Sequence, residues 1–89
     1  MPFYHKRPVV VEARQYVPLQ GAVLAAWCGG TLETGDGTPA WEHIVIPATA
    51  TDREMWARRG DWIIRGVAGE FYRCPPDVFA ATYEKAPPL

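Results

Sequence analysis

Residues 60–84 read GDWIIRGVAGEFYRCPPDVFAATYE. Two short runs rich in β-branched and aromatic residues stand out, Trp62–Arg65 and Glu70–Cys74, joined by Gly66-Val67-Ala68-Gly69. Two such runs around a tight glycine-containing connection predict an antiparallel hairpin. Arg59-Gly60-Asp61 reads as the turn that leads into it. Beyond it, Pro75 and Pro76 fix the entry to a last short helix, Val78–Glu84, with Asp77 as its N-cap.

Working outward, Pro8–Val17 reads as a strand. Side chains alternate, so Val9, Val11 and Ala13 share one face and Val10, Glu12, Arg14 and Tyr16 the other. The first face is expected to be core. Pro18–Cys28 reads as a short helix with Leu19, Ala22, Val23, Ala26 and Trp27 on one stripe. Pro18 suits its first turn and Gly29-Gly30 its left-handed stop. Gly21 weakens it by about 1 kcal/mol relative to alanine. Thr31–Thr34 reads as a strand before a turn at Gly35-Asp36-Gly37. Trp41–Ile46 reads as another strand, which Pro47 ends or places at a sheet edge. Arg53–Ala57 follows a turn near Thr51-Asp52 and is expected to pair with a neighbour. The sum is an α+β class, a mostly antiparallel β-sheet of four to six strands with one or two short helices. Residues 1–89 are expected to form a single domain with loose ends at 1–6 and 85–89.

Composition narrows the classes. The chain has 89 residues, 48% of them hydrophobic and 21% charged, with a net charge of −1. That is the balance of a soluble globular domain. At this length only about 60–65% of the unfolded surface is buried, so oligomerisation is the expected source of extra stability. The aromatics are Trp 4, Tyr 4 and Phe 3, enough to enrich a small core, a subunit interface or a ligand pocket. No apolar run approaches the roughly 18 residues of a membrane span. Glu12 and Arg14 interrupt what would be the apolar stretch of a signal peptide. The near-neutral charge argues against binding nucleic acid by bulk phosphate attraction. Cys28 and Cys74 are too few for a disulfide scaffold or a four-ligand zinc site and read as reduced, buried thiols.

No catalytic motif is present, and the chain has no serine. His5 and His43 read as surface or packing residues. Asp61 and Glu70 have the chemistry of an acid–base pair and the positions of turn and strand-end residues. Arginines interleaved with aromatics point further: Arg14-Gln15-Tyr16, Arg58-Arg59 with Trp62 and Arg65, then Glu70, Tyr72 and Arg73. Arginine forks hold phosphates bidentately and aromatic rings stack on bases, which suits an anionic, planar ligand. The same residues also fit a sheet face laced with cross-strand ion pairs. Trp27 reads as core. Trp41 and Trp56, if exposed, would mark a dimer surface; plain packing is the equal alternative.

Residues 60–84 resemble the C-terminal signature of a family of small phage-encoded proteins, of the form PGDWIIxGxxGEFYPCKPDIFxxTYE. Residues 4–16, YHKRPVVVEARQY, resemble the same family's opening, YxxKPVVVEAxQW. Arg59 stands where the family has proline, and Arg73 and Pro75 replace proline and lysine around Cys74. The middle, Asp36–Ala50, is longer than the pattern. The resemblance implies a phage product acting in the host bacterial cytoplasm and countering host defence. By analogy with sponge proteins, it implies a homo-oligomer that sequesters a nucleotide-type immune signal, such as a cyclic ADP-ribose derivative, without cleaving it and without a cofactor. The expected ligand-binding residues are Arg14, Gln15, Tyr16, Trp62, Arg65, Glu70 and Tyr72. Arginines would hold phosphate, rings would stack, and Gln15 and Glu70 would read hydroxyls or base edges. An inhibitor or adaptor acting on a host protein is the alternative. A small nucleotide hydrolase using Asp61, Glu70 or His43 ranks third.

Overall fold

The computed structural model describes residues 2–4, 9–34, 41–49 and 52–86. The element order is β1 (Glu12–Gln15), α1 (Gly21–Cys28), β2 (Thr31–Thr34), β3 (Glu42–Ile46), β4 (Met55–Arg58), β5 (Trp62–Arg65), β6 (Phe71–Cys74) and α2 (Pro76–Thr82). The strands form two antiparallel three-stranded sheets, in the orders β1-β5-β6 and β2-β3-β4. The α+β class therefore holds, with six strands divided between two sheets. The turn expected at Gly35-Asp36-Gly37 lies outside the described residues.

The β5–β6 hairpin is closed by local chemistry. The Gly66 carbonyl accepts the Gly69 N–H at 3.0 Å, and the Gly66 N–H donates to the Glu70 carbonyl at 2.7 Å. Gly69 has φ +85. A three-residue loop with a left-handed glycine before the return strand matches the twist of the two strands. These bonds make Gly66 and Glu70 a hydrogen-bonded pair. By alternation Ile64–Tyr72 and Trp62–Cys74 are also bonded pairs, so the backbone groups of Phe71 and Arg73 point to the free edge of β6.

The core lies between the sheets. Tyr16, Leu24, Ala25, Cys28, Ile44, Ile46, Ala57 and Ile63 are buried together, with Trp27, Leu32, Met55 and Phe71 packed against them. α1 covers the inner face of β2 and β3. Its buried residues are Gly21, Leu24, Ala25 and Cys28, not the expected stripe of Leu19, Ala22, Val23, Ala26 and Trp27. Both sets have helical spacing. GAVLAAWC is apolar all round, so periodicity does not choose between them. The absence of a Cβ at Gly21 decides it, because one there would lie 2.8 Å from Glu42 Oε1, 2.9 Å from Leu32 Cδ1 and 3.0 Å from the Tyr16 hydroxyl.

Both helices also start differently from the expectation. Val17 to Gln20 form a β-turn closed by a 3.2 Å bond from the Gln20 N–H to the Val17 carbonyl. Pro18 takes the second position and Leu19 the third at φ +73, where glycine is favoured. α1 thus begins at Gly21 rather than Pro18. α2 begins two residues before Val78, with Pro75 at the N-cap and Asp77 inside the first turn. Proline is pre-shaped for the first helical position, and Asp77 meets the positive helix end without capping it.

Candidate functional site

Register divides the expected site residues. Residues directly opposed across an antiparallel pair share a face. Gln15, Trp62 and Cys74 are aligned, as are Ala13, Ile64 and Tyr72, so these occupy one face of the β1-β5-β6 sheet. Arg14, Ile63 and Arg73 occupy the other, with Glu12, Arg65 and Phe71. Arg14 and Arg65 therefore do not converge with Gln15, Trp62 and Tyr72.

α2 and the residue after it roof the first face. Phe79 stacks on Trp62 at 3.9 Å, and Tyr83 stacks on Phe79 at 5.0 Å. The Tyr83 hydroxyl lies 3.3 Å from that of Tyr72. Gln15 holds the turn before β5, its amide donating to the Gly60 carbonyl at 3.2 Å.

On the second face only Tyr16 departs from the expected polarity of β1: Glu12 and Arg14 are exposed and Ala13 is half-buried, as expected. Tyr16 is fully buried, so it is a core residue and not a free ligand contact. Its hydroxyl donates to Glu42 Oε1. Its N–H donates to the Asp61 carbonyl and its carbonyl accepts the Gly60 N–H, both at 2.8 Å. Charge is tolerated beside it because Arg14 pairs with Glu12 at 2.9 Å and lays its guanidinium over the Trp27 ring at 4.3 Å. Trp27 meets Phe71 edge-on at 5.1 Å. Arg65, opposite Glu12, is exposed and has no partner among the described residues.

Glu70 and Tyr72 do come together, in an open cleft of about 530 Å³ lined by Asp52, Met55, Glu70, Tyr72 and Arg73. It runs along the free edge of β6 towards β4, which is why neighbours from both faces line it. Arg73 is its organised element. Arg73 Nε donates to Asp61 Oδ2 at 3.1 Å, and the same oxygen accepts the Arg58 N–H at 2.9 Å. Asp61 is 7% exposed, so a buried carboxylate orients a guanidinium that is itself 40% exposed. The Nη groups of Arg73 have no partner among the described residues. The expected set omits Arg73, Asp52 and Met55. Adjacency of Arg73 to Tyr72 was a legible signal; its diagonal contact with Asp61 needed the register.

The titratable groups follow their surroundings. Burial, the Tyr83 hydroxyl and nearby charge, including Glu70, push Tyr72 up to about 12. Burial first, then the bond to Glu42 and its charge, push Tyr16 far above the usual phenol range, with Arg59 opposing. Burial also raises both thiols, Cys28 and Cys74, which suppresses the reactive thiolate at neutral pH. The neutral phenol is the form the fold accommodates. The contribution of Tyr72 to stability is thus intact below the ordinary value of about 10 and lost as pH rises through about 12. Alkaline titration followed by phenolate absorbance is expected to show Tyr16 and Tyr72 ionising late, together with loss of folded circular dichroism. Tyr16 and Tyr72 titrating near pH 10 in an intact fold would contradict these surroundings.

No family model, curated protein or solved structure matches the chain. Among the described residues no three histidine, cysteine or acidic side chains come together as metal ligands. No helix there is long and apolar enough to cross a membrane.

Proposed function

We propose that this chain is a phage-encoded binding protein that sequesters a nucleotide-type signal of host defence in the bacterial cytoplasm, without cleaving it. The observation that carries the reading is Arg73, fixed through Nε by buried Asp61 with both Nη groups free beside the cleft. A guanidinium oriented in advance presents a two-toothed fork to a phosphate and loses less freedom on binding. Tyr72 and Met55 supply ring and thioether surface for a base, and Glu70 and Asp52 supply acceptors for ribose hydroxyls. A volume of about 530 Å³ lies within the usual range for small-molecule sites.

Isothermal titration with cyclic ADP-ribose isomers and cyclic dinucleotides tests this. One of them is expected to bind, and Arg73→Ala to weaken it at least about tenfold, the loss of one charge-assisted contact. Arg73→Lys should not restore it, since lysine keeps the charge but not the fork. No heat from any of these ligands at about 100 μM, a weak limit on the affinity scale, overturns the reading. Recovery of a cleaved ligand from the denatured complex would favour the hydrolase instead.

The host-protein inhibitor or adaptor draws on a different observation, the exposure of Trp41 and Trp56 at 66% and 49%. A stoichiometric host protein retained in place of any small molecule would favour it.

A further inference from the structure

The outer face of the β2-β3-β4 sheet has a definite pattern. One cross-strand row runs Glu33, His43, Arg58, and the next runs Thr31, Val45, Trp56. His43 stacks flat against Trp56 at 4.2 Å and 17°, and Glu33 holds the far side of that imidazole at 3.2 Å. The Trp56 indole N–H is already satisfied by Glu54 at 3.1 Å. The result is a stacked pair with its polar atoms paired, in which the imidazole is largely covered and Trp56 is half-exposed. Arg58 flanks it, and its side chain has no partner among the described residues.

We propose that this face binds a second copy of the same chain as a two-fold dimer. Charge complementarity picks the occupant. The row carries its acid on β2, one edge of the sheet, and its free base on β4, the other. A two-fold axis lying in the face and running along β3 exchanges those edges. It sets Glu33 of each copy against Arg58 of the other, and Thr31 against Trp56. His43 and Val45 meet their own counterparts at the centre. Two sheets packed this way are roughly aligned, the common geometry for face-to-face sheets. One self-complementary patch then serves both copies, as two-fold symmetry requires. Tryptophan and arginine are the residues enriched in such contacts.

Sedimentation of the purified chain at about 50 μM, a concentration that detects micromolar dimers, is expected to give a dimer. Glu33→Arg and Arg58→Glu should each sediment as monomers, because each places like charges together twice. Both positions are exposed on the outer face, so each variant should keep the parent circular dichroism. An equimolar mixture of the two variants should restore the dimer, since each then offers what the other lacks. A monomeric parent, single variants that stay dimeric, or a mixture that stays monomeric would each overturn the proposal. The readout is mass alone. The ligand cleft at the β6 edge is tested by titration, so either idea can fail without the other.

Discussion

Tyr16→Ala is expected to remove a large share of the protein's stability. The ring is fully buried in the cluster that joins the two sheets to α1. Removing a buried aromatic side chain typically costs about 3–5 kcal/mol, through lost burial and the cavity left behind. A domain of this size has only about 5–13 kcal/mol in total. The variant also strips Glu42 of the Tyr16 hydroxyl, leaving it a more distant ion pair with Arg59 at 4.0 Å. Tyr16→Phe isolates that second effect and should cost about 1.5–3 kcal/mol, the range for a hydrogen bond to a charged group. Urea denaturation measures both. A Tyr16→Ala protein with unchanged midpoint and lost ligand binding would return Tyr16 to the ligand surface.

Gly30→Ala is the second large effect. A Cβ there would lie 2.5 Å from the backbone oxygen of Val45, 3.1 Å from Ile44 Cγ2 and 3.2 Å from Cys28 Sγ. The nearest clash is with sheet backbone, which cannot rotate away, so the segment between α1 and β2 must lift from β3. Overpacking of this kind costs about 1–3 kcal/mol, and the upper end is expected. Gly29→Ala is the matched control. Its Cβ meets nothing within 4 Å, but φ is +69, so about 1 kcal/mol of left-handed strain is the whole effect. Chemical denaturation of the pair should place Gly30→Ala clearly below Gly29→Ala. Equal midpoints would show that the β3 contact relaxes without cost.

These two glycines show where sequence reading stops. Adjacent glycines after an apolar helix announce its end, and Gly29 closes α1 in the left-handed conformation as that pattern predicts. Nothing in the sequence says that the second glycine is required by a strand fourteen or fifteen residues later. The strands divide in the same way. Thr31–Thr34 and Trp62–Arg65 were legible to the residue, because composition and bounding turns are local. The burial of Tyr16 was not, since alternation groups it with Glu12 and Arg14, which stay exposed. Its hydroxyl reaches Glu42, while Arg14 lies across Trp27 and pairs with Glu12.

The candidate site follows the same rule. Its residue types were legible, as arginine and tyrosine near acidic side chains, and Glu70 and Tyr72 do line one cleft. Arg14 and Arg65 lie on the other face from Gln15, Trp62 and Tyr72, because opposed residues in a sheet must share a face. The sequence alone determined the order of strands and helices, the helix ends to within a few residues, and the stock of arginines and rings. Those depend on φ/ψ preferences and neighbours a few residues apart. Tertiary structure alone decided that Tyr16 is buried, which face of α1 turns inward and which arginine a buried carboxylate orients. Those choices rest on contacts between distant residues, such as Asp61 with Arg73 and Gly21 with Tyr16, where packing and hydrogen bonding outweigh local preference.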